Sequence, residues 1–268
     1  MKVKILLIGI CVASAAVFAA GKPEPRKKLT PEQIAANKER FLKRTGGIVE
    51  GETKGKYYLF VDATKGEKVD HSRTVSQVQM GCGIVAKCES ANIANNAPFK
   101  YAKNLLSSRS DVGGITLIYD GSEDEPIESI YPMDKITLIN ATPLKKTKSN
   151  LYPKRINAMM WRGVSFNAGG VMPFGTECVM RNIFTVEDID ALKAVAAYPG
   201  VTQLVMNNAP IFEFAQKKRG LYYVACAEGW ASEPTNDYQR VIWERAKAEQ
   251  KQEPTKGLKI EFDPRKGK

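Results

Sequence analysis

Two aspartates lie where carboxylate chemistry is possible. Asp62 follows an apolar run that ends at Val61, and Asp120 follows a second apolar run that ends at Tyr119. Two carboxylates at neighbouring strand ends can share one proton and activate water, as in aspartic proteases. Asp62 and Asp120 are therefore candidate catalytic residues of a hydrolase. Neither belongs to an Asp-Thr/Ser-Gly motif, however, and an aspartate after a strand is also ordinary turn chemistry.

The chain contains one histidine, His71, and this limits nucleophilic and metal chemistry. A serine or cysteine nucleophile would need this imidazole as its base. A catalytic zinc ion needs about three N, O or S ligands, usually histidines. The polar segment around His71 favours a surface or helix-capping role. The sequence thus argues against a zinc protease and predicts no metal or cofactor.

Two basic clusters carry the leading hypothesis. The candidate polyanion-binding residues are Lys145, Lys146, Lys148, Lys154, Arg155 and Arg162 in the first cluster, and Lys217, Lys218 and Arg219 in the second. Cations with nearby aromatic rings suit contact with phosphate or sulfate groups and stacking of bases or sugars. The net charge of +11 also favours polyanionic partners. An ordinary solvated charged face explains the same clusters, so both interpretations remain open.

The N-terminal residues have the pattern of a secretory signal peptide. Lys2 and Lys4 precede an apolar run from Ile5 to Ala20 that ends in small residues. Because a membrane-spanning helix needs roughly 20 apolar residues, we expect cleavage near Ala19–Gly21 and no transmembrane segment in the mature chain. The mature protein is expected in the periplasm or outside the cell.

Four cysteines would remain after cleavage, and we treat them as disulfide candidates: Cys82, Cys88, Cys178 and Cys226. An even number in an exported protein suggests disulfides, with three possible pairings. If residues 83–89 form a strand, Cys82 and Cys88 lie roughly 20 Å apart, which is too far for them to pair with each other. Cys178 is better explained as a disulfide partner or a core residue than as a nucleophile.

Strands that alternate with helices predict an α/β fold. Strands are expected at 56–62, 84–87, 114–119 and 135–139, and helices at 30–44, 72–80, 98–107, 151–166, 186–197, 209–217 and 236–249. This pattern predicts a mixed sheet of about four or five strands flanked by helices, with a helical C-terminal half. The expected organisation is a signal peptide (1–20), a basic arm and N-terminal helix (21–46), a single α/β domain (47–250) and a charged C-terminal tail (251–268).

The segment from the helix at 151–166 to Cys178-Val179-Met180 resembles the archaemetzincin zinc proteases. That family carries His-Glu-x-x-His-x-x-Gly on a helix and a later Cys-x-Met motif. When the Cys-x-Met motifs are matched, the positions of the first histidine, the glutamate, the second histidine and the glycine carry Ala158, Met159, Arg162 and Ser165. The resemblance implies a metzincin-like fold without its catalytic residues.

A second resemblance concerns Gly229–Gln239 and the closing segment Ile260–Asp263. Both are similar to an exported family of verrucomicrobial bacteria, which include mucus dwellers, and this implies acidic mucin glycoproteins as ligands. We therefore expect a secreted non-catalytic protein that binds acidic glycoprotein or nucleic acid. The alternatives are a secreted mucin-degrading protease that uses Asp62 and Asp120, and an envelope interaction protein that presents Trp230 and Trp243.

Overall fold

The computed structural model describes residues 29–65, 69–93, 97–146, 148–172 and 178–251. The predicted signal peptide, residues 252–268 of the predicted tail and the segment Ile260–Asp263 lie outside them. The described residues divide into two compact units between Arg44 and Thr45. No helix among the described residues is both long enough and apolar enough to cross a membrane.

The first unit contains all of helix α1 (Pro31–Thr45) except its last residue, and the start of this helix follows from a capping box. The Thr30 hydroxyl accepts a hydrogen bond from the Gln33 N–H at 3.3 Å, and Gln33 Oε1 accepts one from the Thr30 N–H at 3.0 Å. The two residues thereby satisfy backbone donors that a helix start leaves unpaired. The start of α1 agrees with the sequence prediction.

The elements alternate along the chain as expected. The helices are α1 (Pro31–Thr45), α2 (Ser72–Cys82), α3 (Pro98–Ser108), α4 (Ala141–Lys145), α5 (Tyr152–Asn167), α6 (Val186–Asp190), α7 (Pro199–Asn208), α8 (Tyr222–Glu228) and α9 (Asp237–Lys251). The strands are β1 (Ile48–Glu52), β2 (Tyr57–Asp62), β3 (Ala86–Ser90), β4 (Val112–Tyr119), β5 (Glu128–Tyr131), β6 (Ile136–Asn140) and β7 (Lys217–Leu221).

A five-stranded mixed sheet forms the centre of the second unit. Its strand order is β3-β2-β4-β6-β5, with β5 antiparallel to β6 and the other neighbours parallel. Alternate residues of β2 face opposite cores, so that Phe60 lies with α2 and α5 whereas Leu59 lies with α3. A sheet covered on both faces needs strands that are apolar throughout. This explains the continuous apolar runs, and the predicted α/β fold with its mixed sheet is confirmed.

Several predicted elements are wrong in detail. The helix expected at 209–217 is absent, because Glu213 adopts a left-handed φ of 63° and turns the chain. That turn buries Phe214 against Tyr58, with ring centroids 5.9 Å apart, and the chain continues as β7, which pairs with β1 in a two-stranded ribbon. The helix expected at 186–197 ends at Asp190, and the strand expected at 84–87 lies at 86–90.

Both tryptophans of the interaction-protein hypothesis have packing contacts within the second unit. Trp230 is 6% exposed and packs against Gly51 of the ribbon, where an added Cβ would lie 2.9 Å from the indole. Trp243 stacks on Tyr222, with ring centroids 6.4 Å apart. Trp230 is therefore a core residue, whereas Trp243 is half-buried.

Candidate functional site

Asp62 ends β2 and is almost fully buried, with 3% of its surface exposed. Its Oδ1 accepts hydrogen bonds from Thr64 N–H at 2.9 Å and from Thr64 Oγ1 at 2.7 Å. An aspartate bonded to the backbone two residues later forms an Asx turn, which bends the chain sharply after the strand. Its other oxygen, Oδ2, lies 3.2 Å from His71 Nε2.

His71 lies in the interior rather than on the surface. It immediately precedes α2, but its side chain makes no capping hydrogen bond, and its ring is buried against Asp62. The expectation of a surface or capping histidine is therefore wrong. Because the helix after a parallel strand packs back onto the sheet, the residue before α2 is brought over the carboxyl end of β2.

Asp120 follows β4, the strand next to β2. Its Oδ2 accepts a hydrogen bond from the Lys65 backbone N–H at 2.7 Å, and its Oδ1 lies 2.5 Å from Lys145 Nζ. One carboxylate thus ties the loop after β2 to the loop after β4 and to the end of α4. This arrangement gives the carboxyl edge of the sheet a fixed shape.

The structure brings the strand ends of Asp62 and Asp120 side by side but gives each carboxylate its own partners. Asp62 is held by Thr64 and His71, whereas Asp120 is held by a lysine ammonium group. An aspartic-protease dyad depends on two carboxylates that share one proton. A carboxylate that is already paired with a cation does not need that proton, so these contacts do not favour the acid-protease hypothesis.

Asn140, at the end of β6, fixes the loop that follows β4. Its Oδ1 accepts hydrogen bonds from the N–H groups of Gly121 and Thr142, at 3.0 and 3.1 Å, and its Nδ2 donates to the Ser122 carbonyl at 2.7 Å. The side chain is fully buried. Sequence reasoning missed this residue, although an asparagine before a helix start is a common cap.

The carboxyl edge between β2 and β4 is a topological switch point. From β2 the chain runs through α2 to β3 on one side, and it then returns through α3 to β4 on the other side. The helices α2 and α3 cover opposite faces of the sheet. In open α/β sheets, ligands bind in the crevice outside the carboxyl ends at such a point.

Two concave surfaces lie at this edge. The first, about 320 Å³ in volume, includes Lys65, Asp120 and Ser122 in its lining. The second, about 610 Å³, is lined by Lys65, Val69, Asp70, Lys145, Ser149, Tyr152 and Pro153, and we call it the basic groove. Lys145 Nζ lies 5.8 Å from the centre of the Tyr152 ring. Burial, followed by the charges of Asp62 and Asp120, raises the pKa of the Tyr152 phenol, so this ring stays neutral.

The first basic cluster divides into surface and interior residues. Lys145 and Lys146 pair with Asp120 and Glu123, and Lys148 and Lys154 are exposed. Arg155, in contrast, is 1% exposed and holds Asp190 through two hydrogen bonds, from Nε at 2.8 Å and from Nη2 at 2.7 Å. A guanidinium group enclosed in this way cannot reach a polyanion. We therefore remove Arg155 from the candidate binding residues.

The second basic cluster lies on β7 and is balanced by carboxylates. Each of its cations has a carboxylate opposite or beside it. Lys217 lies opposite Glu52 in the strand register, Lys218 Nζ lies 2.6 Å from Glu228, and Arg219 Nε lies 3.7 Å from Glu50. Of the two tyrosines that follow this cluster, Tyr222 is fully buried and Tyr223 is exposed. This surface is less suited to a polyanion than the charge of its lysines and arginine suggests.

Arg162 is also an interior residue. Its Nε lies 2.7 Å from both carboxylate oxygens of Glu128, and its Nη1 donates to the carbonyls of Val179, at 2.8 Å, and of Arg181. The guanidinium group therefore joins α5, β5 and the turn that starts at Cys178, and we remove it from the binding residues as well. Burial raises the pKa of Glu128 although Arg162 attracts the ionised form.

The residues matched to the zinc motif do not fit a zinc ion. Ala158 and Met159 are buried apolar residues, and Arg162 brings a positive charge to the position of the second histidine. Over the described part of the chain, no three His, Cys, Asp or Glu side chains are grouped so that they could hold a metal ion.

The four cysteines do not form the predicted disulfides. Cys82, Cys88, Cys178 and Cys226 are all described, and no disulfide links any two of them. Cys88 is exposed on β3, whereas the other three are buried. Burial raises the pKa of the Cys82 thiol to about 12. This thiol therefore stays protonated at neutral pH.

Proteins similar to this chain are found among solved structures. No family model matches the sequence. No curated protein matches it either. One similar structure is an archaemetzincin from Methanopyrus kandleri, with 14% sequence identity and a TM-score of 0.45; the match covers 58% of this chain and 96% of that one. A second is a zinc-dependent peptidase from Methanocorpusculum labreanum, with 11% identity, a TM-score of 0.44 and coverage of 56% of this chain and 99% of that one. A third is an archaemetzincin from Archaeoglobus fulgidus complexed with malonate, with 12% identity, a TM-score of 0.38 and coverage of 55% of this chain and 99% of that one. The structural neighbours of this chain are thus archaemetzincins and a zinc-dependent peptidase, all at low sequence identity.

Proposed function

We propose that this protein is a secreted binding protein that holds an acidic glycoprotein in the basic groove. The observation that carries the proposal is the composition of that groove, which places Lys65 and Lys145 beside Asp70, Ser149 and the Tyr152 ring. Its position at the switch point of the sheet is the usual place for a ligand in an open α/β fold.

The groove has the chemical groups that an anionic sugar requires. The Lys65 ammonium group, and the Lys145 ammonium group through the donors that Asp120 leaves unused, can donate charge-assisted hydrogen bonds to a carboxylate or sulfate. Ser149 and Asp70 can accept hydrogen bonds from sugar hydroxyls. Hydrogen bonds from the Ser72 N–H and hydroxyl lower the pKa of Asp70, so this acceptor stays ionised at neutral pH. The half-buried ring of Tyr152 offers a face on which a sugar can stack.

An acidic glycan fits the groove better than a nucleic acid does. A nucleic-acid strand needs a continuous cationic track and several aromatic rings on which successive bases stack. Among the described residues that line the basic groove, Tyr152 is the one aromatic residue, and Asp70 interrupts the cations. Lys148 and Lys154 add positive charge nearby, which would speed the approach of any anionic ligand. The expected export of the protein and its resemblance to a family from mucus-dwelling bacteria also favour a secreted glycoprotein.

The test measures retention of the purified protein on immobilised mucin, on the same mucin after removal of its sialic acid and sulfate, and on duplex DNA. We expect retention on intact mucin that falls steeply as salt rises, and a large loss on the stripped mucin. Equal retention on both mucins would refute binding through the acidic groups. Tighter retention on DNA than on mucin would replace the glycan with a nucleic acid.

A further inference from the structure

A shallow groove next to the basic groove brings together a thiol, an imidazole and a carboxylate. It has a volume of about 360 Å³, and its lining includes Asp62, His71 and Cys88. Cys88 is the exposed member of the four described cysteines. The proposed binding function uses none of these three side chains.

The strand register places Cys88 and Asp62 on one face of the sheet. In the parallel pair of β2 and β3, Cys88 lies opposite Phe60 and Ser90 lies opposite Asp62. Side chains opposite each other share a face, and residues two apart along a strand return to that face. Cys88 and Asp62 are therefore diagonal neighbours, with their Cα atoms about 8 Å apart from standard strand spacings. The same face is covered by α2, which starts directly after His71.

His71 and Asp62 have the relation of a base and the group that orients it, and Cys88 lines the same groove. The Asp62 carboxylate lies 3.2 Å from His71 Nε2 and fixes the orientation of the ring. Catalytic thiols are activated by a nearby imidazole and by the positive end of a helix dipole. The N-terminus of α2, an eleven-residue helix, supplies that positive end, since Ser72 also lines the groove.

Two further carboxylates line the groove, and both have partners. Asp70 accepts hydrogen bonds from Ser72 N–H and Oγ, at 2.9 and 3.0 Å. Glu89 forms an ion pair with Arg109, with 2.8 Å between Oε2 and Nη1. These pairings weaken the repulsion that the two carboxylates would exert on a thiolate.

We propose that Cys88 is a nucleophilic thiol whose base is His71, that Asp62 is the residue that positions this base, and that the substrate is a disulfide. The Cys88 thiol gives its proton to His71, and its sulfur attacks one sulfur of the substrate. The substrate S–S bond breaks, and the second sulfur leaves as a thiolate that takes the proton from His71. Cys88 is thereby oxidised to a mixed disulfide, and the leaving sulfur is reduced to a thiol. The step needs no other oxidant, because the substrate disulfide accepts the electrons.

The substrate disulfide could belong to a small molecule or to a protein. Both sources present the same reactive group, a disulfide sulfur that can enter an open groove. The groove shares Val69 and Asp70 with the basic groove. A protein held in one groove would therefore lie close to the thiol in the other. The reactivity of Cys88 itself does not depend on the proposed glycoprotein binding.

The test follows the reaction of the native protein with the neutral reagent 4,4′-dithiodipyridine at pH 7. We expect about one thiol per chain to react quickly, roughly tenfold faster than N-acetylcysteine, because an activated cysteine is more ionised than a free one. Cys88→Ser should abolish this phase. His71→Gln should slow it about tenfold, and Asp62→Asn should slow it less, since the base is kept but not oriented. In the control Glu89→Gln, the rate should stay equal or rise.

A rate for the native protein no faster than that of N-acetylcysteine would overturn the proposal, and this comparison needs no variant. An unchanged rate in His71→Gln would also overturn the proposal. The number of thiols that react serves as the folding control: about one reacts in a folded variant, and the buried thiols react as well in an unfolded one. Incubation with glutathione disulfide or with mucin then separates the two substrate sources. A small adduct on Cys88 indicates a low-molecular-weight disulfide, and a cross-linked chain indicates a protein; absence of both adducts would contradict the disulfide substrate.

Discussion

Replacement of Arg162 by methionine should strongly destabilise the second unit. The guanidinium group is 5% exposed and is bonded to Glu128 and to two backbone carbonyls. Its removal leaves a buried carboxylate without a cation and two acceptors without this donor. Breaking a buried ion pair from one side costs about 3–5 kcal/mol of the free energy of unfolding. With a urea slope of about 2–3 kcal/mol per molar, the midpoint of unfolding should fall by roughly 1–2.5 M.

The loss should depend on pH in a defined direction. Burial already raises the pKa of Glu128, and Arg162 opposes that rise. Without the guanidinium group, the pKa of the folded state rises further above its unfolded value. The native state then binds the proton more tightly, so this group favours folding most at low pH and loses that contribution as pH increases. Arg162→Met should therefore be less destabilising at pH 5 than at pH 7.

Two controls accompany this prediction. Arg181→Met removes a guanidinium group that lies 3.6 Å from Asp188 and is partly exposed, so it should cost less than about 1 kcal/mol. The double variant Arg162→Met/Glu128→Gln should be more stable than Arg162→Met at pH 7, because the orphaned charge is gone. A loss below about 1 kcal/mol for Arg162→Met would refute the reasoning, as would an equal loss for Arg181→Met.

Three further predictions concern buried positions. Asn140→Ala should lower the free energy of unfolding by about 1–3 kcal/mol, since it removes the acceptor and donor that hold the loop after β4; thermal unfolding measures this, and an unchanged melting temperature would contradict it. Gly163→Ala should lower the free energy of unfolding by about 1–3 kcal/mol, because the added Cβ would collide with Thr116 Oγ1. The control Gly220→Ala should leave stability nearly unchanged, so equal melting temperatures for the two variants would contradict this prediction. Cys82 should resist iodoacetamide at pH 8 in the native protein and react in urea, as peptide mass mapping would show; labelling of native Cys82 would be inconsistent with its burial.

The fold class follows from features that are local in the sequence. The strand β2 is apolar at every position before Asp62, and this is the pattern of a strand covered on both faces. Gly46 and Gly47 predict the end of α1 from the sequence, and both adopt positive φ. Errors arise where tertiary contacts override the local pattern. Residues 209–217 have helical spacing, but burial of Phe214 in the core selects a turn and a strand instead.

The candidate site was partly predictable. Both aspartates follow apolar runs in the sequence, and the structure places both at the ends of neighbouring strands, as predicted. Their partners come from distant segments, such as Lys145 for Asp120, and no local pattern predicts them. Basic residues were identified by charge alone, which cannot separate the exposed Lys148 from the enclosed Arg155. That separation needs the packing of α5 against the rest of the unit.

A paired charge reversal tests the proposed binding most directly. Lys65→Glu reverses a charge in the basic groove but keeps the backbone N–H that binds Asp120. Lys54→Glu makes the same change in net charge on an exposed residue before β2, at the opposite end of that strand from Asp62. The mucin affinity of Lys65→Glu should fall about tenfold at low salt, since loss of an attraction and gain of a repulsion amount to roughly 1.4 kcal/mol. Lys54→Glu should bind nearly as well as the wild type. Equal losses for the two variants would show that net charge alone drives binding and would contradict the assignment of the groove.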